Sequence, residues 1–129
     1  MSAPDESHPH SAAWLGFGAA VLIVIFECAY AIVLILGASA LESASDPIGD
    51  PYFTAMELLI LVMMPAFIVL TISVHAICEP RRKHFAIGAI VFVTLLTAIT
   101  SSVHASILIL SREPAFSGMS HVFSFDWPS

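Results

Sequence analysis

Charged residues are scarce in this chain. Lysine and arginine together number 4 and aspartate and glutamate 10, so only 11% of the 129 residues are charged, whereas 58% are hydrophobic. Soluble domains carry about a quarter charged residues, and too few polar side chains are present here to cover a globule in water. Three of the basic residues, Arg81, Arg82 and Lys83, lie in one short segment. They make no extended phosphate-binding face, which excludes a nucleic-acid partner.

Cysteine is also rare, and the familiar catalytic motifs are absent. Cys28 and Cys78 fall in different apolar runs, at different depths, so neither a disulfide nor a metal site made from them within one chain is expected. Both are predicted to be buried as small apolar residues. The sequence contains no P-loop, nucleophile elbow, CxxC or HExxH motif. These absences favour a protein that is not an enzyme and leave its cofactor, if any, unidentified.

What the chain has instead is long apolar runs. An apolar stretch of about 18 residues or more is long enough to cross the hydrocarbon layer as a helix, and strand-like alternation is missing. The sequence predicts an all-α integral membrane protein that is surrounded by membrane lipid. Its three transmembrane helices are expected at about residues 14–37, 56–78 and 85–110.

The short turn from Glu79 to Lys83 makes the second and third predicted helices an antiparallel hairpin. Pro65 lies inside the second run, where a proline removes a backbone donor, so a kink is predicted there. A removable signal peptide is disfavoured for the first run, because the residues before Trp14 are acidic rather than basic.

The two ends of the chain differ in composition from its middle. Residues 1–13 are polar and lack a helical stripe, so a disordered N-terminal tail is expected before a transmembrane domain at residues 14–110. Residues 111–129 are predicted to form an interfacial tail that leads into a further helix at Trp127-Pro128. Its aromatic residues are Phe116, Phe123, Phe125 and Trp127.

The distribution of charge predicts an orientation. Arg81, Arg82 and Lys83 lie between the second and third runs, whereas residues 38–55 hold Glu42, Asp46 and Asp50 and no base. By the positive-inside rule the N-terminus and the turn at residues 79–84 face the cytoplasm, and a bacterial inner membrane is the expected location.

Three polar residues in the apolar runs are candidates for a proton or cation relay: Glu27, Glu57 and His104. Glu27 lies near the centre of the first run, where an ionised carboxylate costs several kcal/mol. It is therefore expected to be neutral or to face a partner, and a chain of Glu27, Glu57 and His104 would lead outward. The alternative is that a protonated Glu27 bonds to a hydroxyl of the third helix and is purely structural.

His75 and His104 lie in the similar stretches TISVHA and TSSVHA, which raises the question of a shared ligand. Because the chain reverses direction between them, they are predicted to lie on the order of 20 Å apart at 1.5 Å per helical residue. They therefore cannot be the two axial ligands of one haem within a single chain. Each remains a candidate ligand for a haem or pigment held between subunits. The alternative is an imidazole satisfied by Thr71, Thr100 or interfacial water.

The segment PAFIVLTISVHAICEPRRKHFAIGAIVF resembles an uncharacterised group of small bacterial multi-span membrane proteins. In that group a proline-containing helix ends in Ser-x-His, and a charged turn and a Phe-Ala-rich helix follow. The matching residues are Pro65, Ser73, His75, Arg81 to Lys83, Phe85 and Ala86. The resemblance spans about residues 65–110 and implies architecture only, with further helices after the point where this sequence ends.

Three functions follow from these observations. The leading interpretation is a non-enzymatic integral membrane subunit that packs by helix–helix contacts in a homo-oligomer or a larger membrane complex. The first alternative is a transport or proton-coupling protein that uses Glu27. The second is a haem- or pigment-binding membrane protein that uses His75 or His104 between subunits.

Overall fold

The computed structural model describes residues 7–43 and 46–115 and contains three long helices. These are α1 (Ser7–Ser39), α2 (Tyr52–Ile77) and α3 (Lys83–Leu110), with a single 3-10 turn at Pro80–Arg82 before α3. All three are long and apolar enough to cross a membrane, and no strand occurs in the described ranges. The predicted fold class, an all-α membrane protein with three spanning helices, is confirmed.

The helices begin earlier than the apolar runs do. α1 starts at Ser7 rather than at Trp14, so residues 7–13 of the predicted disordered tail are helical. A helix that has formed extends readily into residues without a breaker, and the proline at position 9 falls in the first turn, where it is tolerated. The predicted tails at residues 1–6 and 116–129, with their aromatic residues and Trp127-Pro128, lie outside the described residues.

α2 begins at Tyr52 rather than at Met56, and its N-cap residue Pro51 makes no side-chain cap hydrogen bond. The carboxylate of Asp50 accepts the backbone N–H of Thr54 at 3.2 Å. A side-chain oxygen that accepts one of the otherwise unpaired N–H groups stabilises a helix start. α3 begins at Lys83, just before the predicted Phe85, after the tight turn in which the Arg82 N–H donates to the Glu79 carbonyl at 2.9 Å.

α2 lies between the other two helices. It packs along α1 on one side and α3 on the other, while α1 and α3 scarcely contact each other. The contacts of Gly16 with Ser73 and of Gly37 with Tyr52 show that α1 and α2 are antiparallel. α2 and α3 form the predicted hairpin. The result is an open layer of three helices rather than a closed bundle.

The α1–α2 contact follows a seam of small and apolar residues. Among residues 10–39 of α1 the buried ones are Gly16, Ala19, Ile23 and Gly37. Together with half-buried Phe26, Tyr30 and Val33 they follow the alternating steps of three and four that keep one face towards a partner helix. Opposite Gly16 lies Ser73, which is only 2% exposed. Its hydroxyl donates to the Val69 carbonyl at 2.8 Å, so it adds no unpaired polar group to the contact.

Few side chains are buried between the helices. Ile23, Met63 and Ala66 form the buried cluster, whereas large apolar side chains such as Trp14 and Phe92 are 72% and 77% exposed. In water so much exposed apolar surface would be unfavourable, but in hydrocarbon it is the ordinary outer face of a spanning helix. The chain is a membrane protein.

Replacing Gly16 by alanine is expected to lower the free energy of unfolding by about 1–3 kcal/mol, as overpacking of a tight contact does. The added Cβ would lie 2.8 Å from the Cβ of Ser73, whereas the matched control Gly18→Ala meets nothing within 4 Å. Both variants gain the same helix propensity. Titration with SDS in mixed micelles, followed by circular dichroism, measures the difference. Equal stabilities of the two variants would contradict the close approach of α1 and α2.

Candidate polar site between the second and third helices

Glu57 and His104 meet across the α2–α3 contact. The distance between His104 Nδ1 and Glu57 Oε2 is 2.7 Å. Glu57 is near the start of α2 and His104 near the end of α3, and because the two helices are antiparallel both residues lie at the same level. The Glu57 side chain is 11% exposed and that of His104 25%. Two of the three predicted relay residues are therefore neighbours.

A proton must lie in this contact. A ring nitrogen without hydrogen and a carboxylate both present lone pairs, which repel at hydrogen-bonding distance. The separation of 2.7 Å is typical of a hydrogen bond in which one partner is charged. Either the imidazole N–H donates to a carboxylate, or a carboxylic acid donates to the ring nitrogen.

A second set of polar residues lies one turn closer to the end of the helix pair. These residues are Asp50, Thr54 and Arg112, and we call them the end cluster. Arg112 Nη2 donates to Thr54 Oγ1 at 2.9 Å, and Thr54 Oγ1 donates in turn to Asp50 Oδ1. The hydrogen bond from the Thr54 hydroxyl is the main cause of a lowered pKa at Asp50. The Thr54 backbone N–H and the positive charge of Arg112 act in the same direction, and desolvation opposes them.

Deeper in the same interface the helices are joined only weakly. The Thr97 hydroxyl reaches the Met64 carbonyl at 3.5 Å, a length at the outer limit for a hydrogen bond. α2 continues through Pro65, which is exposed. The predicted kink at Pro65 stays a prediction. The Glu57–His104 pair is thus the strongest polar contact between α2 and α3 in the described part of the chain.

Glu27 does not join this pair. Its side chain is exposed, and within residues 7–43 and 46–115 no hydrogen bond or ion pair involves it. The expected chain of Glu27, Glu57 and His104 is therefore not formed within one chain. The reason is the open arrangement of the helices. α1 and α3 pack on different faces of α2, so an α1 side chain beside the α1–α2 contact faces away from the protein.

His75 lies far from His104. His104 is level with Glu57, and His75 follows Glu57 by 18 residues (75 − 57) along α2, or about 27 Å at 1.5 Å per residue. Thr71 is not a hydrogen-bond donor to the His75 imidazole, because its hydroxyl donates to the Phe67 and Ile68 carbonyls at 3.0 and 2.9 Å. The hydrogen-bond partner of His104 is Glu57 rather than Thr100. That either histidine binds a haem or pigment between subunits stays a prediction.

The basic turn lies at the opposite end of the helix pair from the end cluster. Arg81, Arg82 and Lys83 are exposed, and Arg82 forms an ion pair with Glu79 at 3.7 Å. Both side chains of that pair are 75% exposed, so it contributes little to stability. The fourth basic residue, Arg112, belongs to the end cluster.

Sequence reasoning missed the end cluster. An acidic residue just before a helix start and a hydroxyl in its first turn, as in Asp50 and Thr54, are the signal that could have found part of it. Arg112 gave no signal, because its partner is 58 positions away in the chain. Cys28 is exposed and Cys78 half-buried, both as free thiols, so the expected burial of Cys28 is wrong for the isolated chain.

No set of three or more His, Cys, Asp or Glu side chains able to hold a metal ion occurs among the described residues. No family model, curated protein or solved structure matches this chain. The interpretation of the site therefore depends on its own geometry.

Thr54→Val is expected to raise the pKa of Asp50 part of the way towards its ordinary value of 3.8, because the largest stabilising hydrogen bond is lost while Arg112 remains. A lowered folded-state pKa stabilises the fold above the unfolded value, and this contribution is lost as the pH falls through the folded value. The variant should thus lose less stability than the wild type on acidification below about pH 4. Carbon-13 NMR titration of the Asp50 carboxyl measures the shift.

Thr71→Val is the control for this titration, since the Thr71 hydroxyl bonds only to carbonyls of its own helix. An Asp50 titration curve that is identical in Thr54→Val and the wild type would show that Thr54 does not hold the carboxylate.

Proposed function

We propose that this chain is a non-enzymatic integral membrane subunit that packs by helix–helix contacts into a homo-oligomer or a larger membrane complex. The observation that carries this proposal is Glu27, an exposed carboxyl group within a membrane-spanning helix. A charged group facing hydrocarbon costs several kcal/mol, and even a neutral carboxylic acid loses its hydrogen bonds there. A partner helix that offers a donor removes this cost.

The open arrangement of the helices supports the same proposal. α1 and α3 each pack against α2 alone, which leaves most of their surface uncovered. Gly18 on α1 and Gly88 on α3 have nothing within 4 Å of a built Cβ. Small residues on an uncovered face let another helix approach closely, which is how membrane helices associate in the absence of a hydrophobic driving force.

The same proposal includes an orientation in a bacterial inner membrane, with the N-terminus and the turn at residues 79–84 in the cytoplasm. The support is the position of Arg81, Arg82 and Lys83 on an exposed turn, together with the positive-inside rule. In a chain whose free cysteines are replaced by Cys28→Ala and Cys78→Ala, Glu79→Cys should be labelled by a membrane-impermeant maleimide in inverted vesicles and not in intact spheroplasts. The reverse pattern would contradict this orientation.

In mild detergent or native lipid discs the chain is expected in a particle larger than one copy, as measured by mass photometry. Glu27→Leu should shift the population towards single copies, because the group that the partner satisfies is gone, and Glu27→Gln should retain assembly through its amide. Cys28→Ala is the control, since Cys28 is an exposed neighbour without a charge. A wild-type chain that is a monodisperse monomer, or a Glu27→Leu variant that assembles normally, would refute the proposal.

A transport or proton-coupling protein that uses Glu27 is the second candidate. The exposure that favours a partner helix also makes this carboxyl accessible to a proton or cation carried at a subunit interface. In proteoliposomes Glu27→Gln would then abolish flux while the particle size stays unchanged. Flux that persists in this variant would eliminate the second candidate and leave the first intact.

A further inference from the structure

We propose that the Glu57–His104 pair is a proton-binding site that exchanges with water through the end cluster. With one proton in the contact, the pair is a neutral imidazole that donates to a carboxylate, with net charge −1. A hydronium ion that gives its proton to the second ring nitrogen, Nε2, leaves water and converts the pair to imidazolium and carboxylate, with net charge zero. The inference is independent of Glu27 and of the assembly proposed above.

The first support is the way Glu57 orients the ring. The contact from Nδ1 to Oε2 at 2.7 Å fixes the imidazole and leaves the lone pair of Nε2 unused. No described residue bonds to Nε2. The His104 side chain is 25% exposed against 11% for Glu57, so the histidine is the less buried member of the pair.

The second support is the route to water. Thr54 is three residues before Glu57, which places both on the same face of α2 one turn apart. Thr54 is held by Arg112 from α3 and bonds to Asp50 before α2. Asp50 and Arg112 are exposed at the end of the helix pair, and Thr54 is half-buried. They supply the hydrogen-bonding partners that a short file of water molecules needs.

The third support is the absence of a competing positive charge at the pair. Within residues 7–43 and 46–115 no lysine or arginine is bonded to Glu57, and Arg112 is engaged by Thr54. Asp50 and Arg112 are the charged groups nearest along the interface. α1, which packs on another face of α2, contributes the titratable groups Glu27, Cys28 and Tyr30, and in the described part of the chain none of them is hydrogen bonded to the pair. A bound proton is thus the means by which the pair loses its net charge in a low-dielectric setting.

The test uses the full chain in lipid discs, in the assembly in which it purifies, with nitrogen-15 label in histidine. His104→Gln identifies the His104 signals. In the wild type these signals should change from the neutral to the doubly protonated pattern as the pH is lowered from about 9 to about 5, the range in which imidazoles exchange protons. In Glu57→Gln they should keep the neutral pattern, because an isolated imidazolium within the span has no counter-charge.

Three further variants keep this result interpretable. Glu57→Asp retains the charge and should restore the change, which separates the proton site from a merely structural hydrogen bond. Glu27→Gln is the control and should leave the His104 signals as in the wild type. Arg112→Gln, which removes the positive charge from the end cluster, should slow hydrogen exchange at His104 without removing the protonated form.

Three outcomes would overturn the proposal. The first is a His104 signal that does not change with pH in the wild type, and the second is a signal that changes equally in Glu57→Gln. The third is a purified sample whose absorption spectrum or metal content depends on His104, since Nε2 would then be a metal or haem ligand and Glu57 the carboxylate that orients it.

Discussion

The hydrocarbon layer offers no hydrogen bonds, so polar groups in the spans need partners within the protein. Several hydroxyl groups in the spans meet this requirement locally: Thr71, Ser73, Ser102 and Ser106 all donate to carbonyls three or four residues earlier in their own helices. Glu57 cannot be satisfied in this way, because a carboxylate needs a positively charged partner or a hydrogen-bond donor. It finds one in His104, and the register of α2 against α3 depends on that contact.

The two contacts of the middle helix are of different kinds. Towards α1 the surface is small and apolar, and Gly16 brings the backbone of α1 close to Ser73. Towards α3 it is polar at one end, where Glu57 meets His104 and Thr54 meets Arg112. The small residues allow α1 and α2 to approach closely. The polar contacts specify which residues of α2 and α3 face each other. One helix therefore combines close approach on one side with specific pairing on the other.

Glu27 and the Glu57–His104 pair suggest separate roles for the two halves of the layer. The carboxyl group of α1 is exposed and has no partner within the described chain, which favours a neighbour outside it. The pair between α2 and α3 lies one turn from the end cluster, and we propose that it exchanges a proton with water there. The two proposals use different residues, so each can fail without the other.

Hydrophobicity alone determined the number of helices, their approximate limits and their membrane setting, because burial of apolar length in lipid is a property of each segment by itself. The sequence also identified Glu27, Glu57 and His104 as anomalous, since polar groups in apolar runs stand out without coordinates. Only the tertiary structure decided which of them meet. Whether His104 faces Glu57 or Glu27 depends on which faces of α1 and α3 contact α2, and that rotation is set by side-chain packing between distant segments. The role of Arg112 was hidden for the same reason.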